Sequence, residues 1–470
     1  MIGSVTESVW QATRNMAEAV AAPFQDPVIR LGVTGLSRAG KTVFITSLVA
    51  NLMDRGRMPQ LRAAAEERVL AAWLQPQPDD AVARFAYEDH LAALTAPEPR
   101  WPEGTRRTSE LRLSLRLAPT GLLGGLSGPR VLHLDIVDYP GEWLLDLGLL
   151  DRDFAGWSER ALAKARQRPG AEAFLKRLDG IDPGQDFDEI TLRGLAEAYA
   201  RHLQTAREAG YSDCTPGRFL LPGDLEGSPV LTFAPLPAVA DPPRRSLWRE
   251  SERRFEAYKR LVVKPFFREH FARIDRQVVL VDVLGALANG PRAFEDLREA
   301  MADILGAFNP GRNAWLARLL GQKRVERILF AATKADHLHH TQHARLAALT
   351  EALLREARDR AEFAGAETEA MAIASLRTTV EDRVSSGGEM VDVVRGRAAG
   401  SGRQVALHPG DLPEDPGHLL APARAGAEDW PLQDYALEEF APAPLTLRPG
   451  EGPPHIRLDK AAEFLIGDRL

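Results

Sequence analysis

The feature that most constrains this chain is a phosphate-binding loop pattern near its N-terminus. Residues 35–42 read Gly-x-x-x-x-Gly-Lys-Thr, which is the Walker A pattern. Apolar and β-branched residues at 28–33 predict a buried strand before the loop, and residues 43–52 predict a helix after it. A true phosphate-binding loop requires this strand–loop–helix context. The pattern therefore predicts an α/β protein with the loop at the carboxyl end of a strand.

The residue types in the loop suit a nucleoside triphosphate. Its glycines let successive backbone N–H groups turn toward phosphate oxygens at the positive end of the following helix. Lys41 would reach the β and γ phosphates, where it would meet only solvent and phosphate, and the Thr42 hydroxyl would hold Mg²⁺. The predicted nucleotide-binding positions of the loop are Gly35, Ser37, Arg38, Ala39, Gly40, Lys41, Thr42 and Val43.

Composition and charge narrow the class of protein. The chain is 44% hydrophobic and 27% charged, which is ordinary for a globular protein, and its net charge of -7 argues against a dedicated nucleic-acid binder. Cys214 stands alone, so no intrachain disulfide can form. No apolar run reaches the roughly 20 residues that span a bilayer, and residues 278–287 predict a central strand instead. Since a signal peptide is also absent, we expect a cytoplasmic protein.

The order of patterns predicts a nucleotide-binding domain that an insertion interrupts. Residues 28–150 and 276–384 alternate strands and helices, as in a doubly wound sheet. Residues 151–275 predict a mainly helical insertion, and residues 385–470 predict a C-terminal extension that closes on a strand and a short helix. Residues 1–27 predict an amphipathic N-terminal helix docked on the body, with peripheral membrane contact as the alternative.

A second strand supplies a candidate metal-binding acid. It ends in Asp138-x-x-Gly141. An acid at a strand tip beside the loop can hold Mg²⁺ through water, and the glycine N–H can bond the γ-phosphate. Because hydrolysis removes that bond, the segment that follows would act as a switch. Asp135, earlier on the same strand, is the alternative metal acid.

A third strand ends in a pattern that predicts guanine recognition. Thr333, Lys334 and Asp336 match the guanine-specificity motif, with Thr in place of the usual Asn. The Asp336 carboxylate can accept hydrogen bonds from guanine N1–H and the 2-amino group. Adenine has neither donor and would leave the buried carboxylate unpaired, at a cost of at least about 1–3 kcal/mol. The stem of Lys334 can cover the base.

Two further segments are expected at the site. Ser375 and Leu376 follow the next strand, where a backbone N–H usually meets the guanine O6. Before the Asp138 strand, Thr105 and Thr108 both offer a hydroxyl for Mg²⁺, and the sequence does not decide between them. Thr108 is taken as the catalytic candidate. A plain turn in this segment is the alternative.

Taken together, these motifs resemble the YcjX family of bacterial P-loop GTPases. The likeness spans nearly the whole chain and rests on GLSRAGKTVFITSLV, DIVDYPGEWLLDL, PGRFLLPGDLEGSPVLTF, RQVVLVDVL, TKAD and RLDKAAEFLIGDRL. It implies a nucleotide-binding domain with a large helical insertion, a cytoplasmic location and an association with envelope or phage-shock stress responses. Because the family is often labelled simply as an ATPase or P-loop hydrolase, the choice of base rests on Asp336.

A local likeness concerns Arg38. GLSRAGKT is similar to the loop of guanylate-binding large GTPases, where an arginine in this place acts as an internal finger. Many potassium-activated GTPases carry Asn in this position. In this chain the Arg38 guanidinium would supply the positive charge that the potassium ion supplies in those proteins. A solvated loop cation is the alternative. Glu142 follows Gly141 where small GTPases usually keep a water-orienting Gln, which argues against a Ras-like mechanism.

The predicted function is Mg²⁺-dependent GTP binding and slow hydrolysis to GDP and phosphate. Lys41, Arg38 and Thr108 are the catalytic candidates, and Thr42 and Asp138 are the candidate metal ligands. The switch segments would report the nucleotide state to a protein partner or through self-association. An ATPase with a similar site and a nucleotide-gated scaffold with negligible turnover are the alternatives.

Overall fold

The computed structural model describes ten stretches of the chain. They are residues 26–36, 38–105, 107–119, 128–270, 273–306, 325–363, 365–386, 388–426, 430–432 and 435–470. The helix predicted over residues 1–27 falls almost wholly outside the described residues, and so does the predicted site residue Ser37. Among the helices that are described, none has the length and apolar character needed to cross a membrane.

Strands and helices occur in the following order. The strands are β1 (Val28–Gly35), β2 (Val69–Gln75), β3 (Ala83–Arg84), β4 (Ser109–Leu117), β5 (Arg130–Asp138), β6 (Arg276–Val281), β7 (Arg327–Ala332), β8 (Glu367–Ala372), β9 (Val380–Ser386), β10 (Glu389–Arg397) and β11 (Gln404–Leu407). The helices are α1 (Lys41–Met53), α2 (Arg62–Ala65), α3 (Tyr87–Thr95), α4 (Gly141–Leu145), α5 (Phe154–Ala165), α6 (Glu172–Asp179), α7 (Glu189–Glu208), α8 (Gly217–Leu220), α9 (Leu247–Tyr258), α10 (Lys264–His270), α11 (Val283–Ala288), α12 (Pro291–Gly306), α13 (His343–Leu353), α14 (Arg355–Phe363), α15 (Gly417–Ala425) and α16 (Leu458–Ile466).

The main sheet is mixed, with a parallel centre. Its strand order is β2-β4-β5-β1-β6-β7-β8, and β3 pairs with β4. The run β5-β1-β6-β7-β8 is parallel, whereas β4 is antiparallel to both β5 and β2. Because parallel strands end at the same edge, the loops after β1, β5, β6, β7 and β8 meet there. This α/β sheet has the parallel centre that the sequence predicts and, in addition, an antiparallel side.

Both faces of the sheet are covered. Alternate residues of one strand enter different hydrophobic clusters: Leu280 of β6 packs in the cluster that contains α1 and α16, whereas Val279 and Val281 pack with the helices that follow β5. Strands buried on two faces read as continuous apolar runs, which explains why β6 and β7 are so easily recognised in the sequence.

The described part of residues 151–275 is largely helical and has an aromatic centre. The ring of Trp157 stacks on Phe255 with centroids 5.0 Å apart, and Phe154 and Phe233 are buried beside them. Each such side chain contributes about 1.5–3 kcal/mol through burial. These residues belong to the same cluster as one face of the sheet, so the helices α5 to α10 are packed on it.

The single strand predicted over residues 278–287 is wrong beyond Val281. Strand β6 ends there, and α11 begins at Val283. Asp282 causes the change, because its Oδ1 accepts a hydrogen bond from Gly285 N at 3.0 Å and caps the helix. The apolar run therefore divides into a strand and a helix at one polar residue.

The C-terminal part adds a small sheet and returns to the main core. Strands β9, β10 and β11 form an antiparallel sheet, and the predicted boundary after residue 384 falls within β9. The short closing helix expected from the sequence is α16, whereas the strand expected just before it is wrong, because Ile456 forms only an isolated bridge with Ala374. Helix α16 packs in the same cluster as α1 and covers one face of the main sheet.

Candidate functional site

The phosphate-binding loop joins β1 to α1 through left-handed backbone. Arg38 has a φ of 65°, and Gly40, which precedes the first helical residue, has a φ of 83°. Glycine adopts such a φ without penalty, whereas a residue with a Cβ is strained there. The turn brings the loop backbone to the N-terminal end of a 13-residue helix. A loop in this position at a helix N-terminus can bind phosphate.

The loop itself holds Lys41. Its Nζ donates to Gly35 O at 2.7 Å and to Leu36 O at 3.4 Å, and the residue is buried. This corrects the expectation that Lys41 would meet only solvent and phosphate. Because two loop carbonyls accept hydrogen bonds from the ammonium group, it is directed into the loop.

A cavity of about 450 Å³ opens at the loop. The predicted site residues in its wall are Arg38, Ala39, Gly40, Lys41, Thr42, Val43, Thr333, Lys334, Asp336, Ser375 and Leu376. They come from three strand–loop junctions at one edge of the sheet. Gly35 of the loop and Gly141 pack backbone to backbone, since a Cβ on Gly141 would lie 2.0 Å from Gly35 O.

Three oxygen-bearing side chains cluster at the phosphate end. Thr105 Oγ1 donates to Asp138 Oδ2 at 2.6 Å and lies 3.5 Å from Thr42 Oγ1. Thr105 is thus a threonine that the structure brings to the other two oxygens. Thr108 immediately precedes β4, whose first residue, Ser109, pairs with Asp138 of β5, and its catalytic role stays a prediction.

Asp138 suits a cation ligand. Burial raises the pKa of its carboxyl to about 6, although the Lys41 charge and the hydrogen bond from Thr105 oppose that rise. Its Oδ1 is buried and has no hydrogen-bond partner within the described stretches. An oxygen of this kind fits a hard divalent cation. Asp135, the alternative acid, accepts two hydrogen bonds from Arg112 at 2.6 and 2.8 Å and is already paired.

The base end of the cavity is built around Asp336. Its Oδ2 accepts hydrogen bonds from Thr378 N at 2.8 Å and from Thr378 Oγ1 at 2.7 Å, and Thr379 Oγ1 donates to its backbone carbonyl at 2.5 Å. Lys334, at a φ of 60°, pairs with Asp282 at 2.5 Å. The carboxylate is therefore held in one orientation by the segment after β8.

Sequence reasoning missed several wall residues. Thr378 lies two positions beyond Leu376. The two consecutive threonines, Thr378 and Thr379, were the pattern from which this part of the wall could have been predicted. Trp101 and Phe440 also line the cavity, and Trp101 Nε1 donates to Phe440 O at 2.9 Å. No local pattern marks either one, because this contact joins segments that are 339 positions apart.

Arg38 and Glu142 face different surroundings. The exposed Arg38 side chain lies between the first cavity and a second one of about 400 Å³. Glu142 is buried, borders the second cavity and pairs with Arg207 of α7 at 3.1 Å. In this arrangement Glu142 is turned toward the inserted helices, away from the phosphate end.

A phosphate-binding loop, an acid at the tip of the neighbouring strand and a Thr-Lys-x-Asp segment in one cavity define a P-loop nucleotide-binding protein. The chain belongs to the YcjX-like family, DUF463, whose family model matches residues 29–470. This confirms the resemblance seen in the sequence.

Two relatives match over nearly their full lengths. The chain is 37% identical to a protein named Ras-like GTPase YcjX from Escherichia coli (strain K12), over 97% of this chain and 99% of that protein. It is 36% identical to a protein of the same name from Shewanella oneidensis, over 95% of each chain.

Replacing Lys41 by Ala is expected to lower affinity for nucleoside triphosphates by about 100-fold or more, because hydrogen bonds to charged groups contribute about 1.5–3 kcal/mol each. Titration with a fluorescent nucleotide measures the affinity. Thermal unfolding without nucleotide checks the fold, since the bonds to Gly35 O and Leu36 O are also lost. The matched control is Lys176→Ala, an exposed lysine on α6. A folded Lys41→Ala protein with wild-type affinity would remove the loop from the site.

Proposed function

We propose that this chain binds GTP as its Mg²⁺ complex, hydrolyses it to GDP and phosphate, and acts as a nucleotide switch. The observation that carries the proposal is one cavity with Lys41 at its phosphate end and a fixed Asp336 carboxylate at its base end. Relatives that are 36–37% identical are named as GTPases, which supports the same chemistry here.

Mg²⁺ would be held by the hydroxyls and carboxylate at the phosphate end. Thr42, Thr105 and Asp138 offer oxygen ligands, and the free Oδ1 of Asp138 supports this choice. When bound, the cation neutralises charge on the β and γ phosphates. The Lys41 ammonium and the loop amides add positive charge from the protein side.

Arg38 is the residue of this chain best placed to stabilise charge that develops during transfer. It lines the cavity from the loop, whereas Glu142, in the position of a water-orienting residue, is paired with Arg207. A mechanism that depends on Glu142 would first have to break that partly buried pair. The proposal therefore assigns the transition-state role to the Arg38 guanidinium.

Base selection separates the proposed GTPase from the ATPase alternative. Asp336→Asn is expected to weaken GTP binding and to relax the preference toward xanthosine triphosphate. The amide oxygen can keep the bonds from Thr378, and the new N–H group can donate to the xanthine 2-oxygen. Competition among GTP, ATP and xanthosine triphosphate measures the change, with the exposed Asp89→Asn on α3 as control. An unchanged GTP preference would favour the ATPase.

Arg38→Ala is expected to slow hydrolysis at least about tenfold while changing GTP affinity much less, because a finger acts on charge that forms in the transition state. Single-turnover phosphate release gives the rate. Arg38→Lys should recover part of it, the exposed Arg201→Ala should leave it unchanged, and the wild-type protein should need no potassium. Equal rates for Arg38→Ala and wild type would reduce Arg38 to a solvated cation. Tight binding by the wild type without any phosphate release would support the scaffold alternative.

The segment after Asp138-x-x-Gly141 is bonded to the inserted helices, which supports a switch role. Trp143 Nε1 donates to Leu221 O at 2.9 Å, and the Arg218 guanidinium lies 3.2 Å from the centre of a Trp143 ring. Asp146 accepts from Gly217 N at 2.8 Å and from the Tyr258 hydroxyl. Any shift of this segment on loss of the γ-phosphate would therefore be passed to α8 and α9.

Tyr258→Phe is expected to weaken that coupling. Hydrogen–deuterium exchange in the wild type should differ between the GDP state and a non-hydrolysable GTP analogue over residues 217–231 and 247–258, and the difference should shrink in the variant. The control is Tyr435→Phe, whose buried hydroxyl has no hydrogen-bond partner among the described residues. Identical differences in wild type and Tyr258→Phe would contradict transmission through Asp146.

The place of the proposed switch in the cell follows from the family resemblance. We propose a cytoplasmic protein that acts in the bacterial envelope stress response and reports its nucleotide state to a protein partner. Helices α7, α8 and α9 of the insertion contact the proposed switch segment after Gly141. These contacts support a route by which the nucleotide state would reach such a partner.

A further inference from the structure

A cluster of imidazole and carboxylate groups lies just beyond the base end of the nucleotide cavity. His339 and His340 follow the Thr-Lys-x-Asp segment, and Glu381 reaches them from β9. One ligand atom from each of the three lies within 4.8 Å of the others. This cluster is separate from the Thr42, Thr105 and Asp138 oxygens at the phosphate end.

The three groups converge on one carboxylate oxygen. Glu381 Oε2 lies 2.8 Å from His340 Nδ1 and 3.8 Å from His339 Nε2. The other oxygen, Oε1, accepts from His340 N at 3.1 Å and lies 4.0 Å from Arg377. The carboxylate is thus oriented by a backbone bond, so that Oε2 faces both imidazoles.

These separations suit a tetrahedral transition-metal ion. Bonds of about 2.0–2.1 Å to zinc place neighbouring ligand atoms about 3.4 Å apart, and the observed distances of 2.8 and 3.8 Å lie on either side of that value. Two imidazoles and one carboxylate form a donor set that zinc commonly takes, and water fills the fourth position. The exposed His340 leaves that position open to solvent.

The buried histidine also has the outer partners of a metal ligand. While His339 Nε2 faces Glu381, its Nδ1 lies 3.0 Å from Thr341 Oγ1 and 3.6 Å from Asp392 Oδ2 on β10. Metal-bound histidines are usually oriented in this way by an oxygen on the second ring nitrogen. A plain surface ion pair does not require such an arrangement on both sides of one ring.

We propose that His339, His340 and Glu381 form a binding site for one Zn²⁺ ion, with Asp392 and Thr341 orienting His339. The ion links the segment after Asp336 to strand β9. Since Thr379, two positions before Glu381, bonds the Asp336 carbonyl, the metal ties together the two segments that hold the base-recognition carboxylate. The site rests on this geometry alone and not on the nucleotide proposed above.

The test is zinc binding by the chelator-stripped protein in excess Mg²⁺ at about pH 7.5. Competition with a chromophoric chelator should show one tightly bound equivalent. His340→Ala and Glu381→Gln should each lower the zinc affinity at least about tenfold, and Asp392→Asn should lower it by about 10–100-fold. Co²⁺ should give the visible absorption of a four-coordinate site, which disappears in the double variant His340→Ala/Glu381→Gln.

Two controls localise the ion. His418→Ala removes an exposed histidine on α15 and should bind zinc as the wild type does. Asp138→Asn should also retain the zinc, because the phosphate-end oxygens are not part of this cluster. His340 is exposed, so its variant keeps the test valid if changes at the buried His339 impair folding. The proposal is overturned if the double variant binds zinc as tightly as the wild type, or if the wild type binds none, which would leave the cluster as an ion pair.

Discussion

The site depends on close packing between bare backbones at the edge of the sheet. Gly141 lies so near the phosphate-binding loop that a Cβ there would be 2.0 Å from Gly35 O, and a Cβ on Gly217 would be 1.8 Å from Glu142 O. No residue larger than glycine fits either position without moving the main chain. The loop, the segment that begins at Gly141 and the inserted helices are therefore stacked in direct contact, with no side chain between them to absorb a displacement.

The inserted helices are part of the same packed unit as the sheet. Their aromatic centre shares a hydrophobic cluster with one face of the sheet, and this cluster supports the stacked backbones. The segment that begins at Gly141 lies between those helices and the loop. It carries a buried carboxyl, Asp146, whose pKa burial raises to about 6 even though Tyr258 and Gly217 donate to it. A buried carboxylate at Asp146 favours one arrangement of its hydrogen-bond donors, Tyr258 and Gly217. The contact between this segment and the inserted helices is therefore specific.

How much of the molecule could be predicted depended on whether a signal was local. Lys41, Thr42, Asp138 and Asp336 each lie at a strand end within a short pattern, and the parallel sheet brings strand ends together, so their meeting in one place followed from sequence. The Phe440 wall and the contact of α16 with α1 could not be predicted, because they join distant segments with no shared motif. The prediction of one strand across Asp282 was wrong because apolar periodicity alone does not reveal a helix cap.

The position of α16 has a consequence for biogenesis. Helix α16 packs in the cluster that contains β1 and α1, although these elements are far apart in the sequence. A core that joins such distant segments has high contact order and stays incomplete until α16 has left the ribosome. Growing chains therefore hold the phosphate-binding loop on an incomplete domain, and chains truncated before α16 leave the apolar face of α1 uncovered for chaperones to bind.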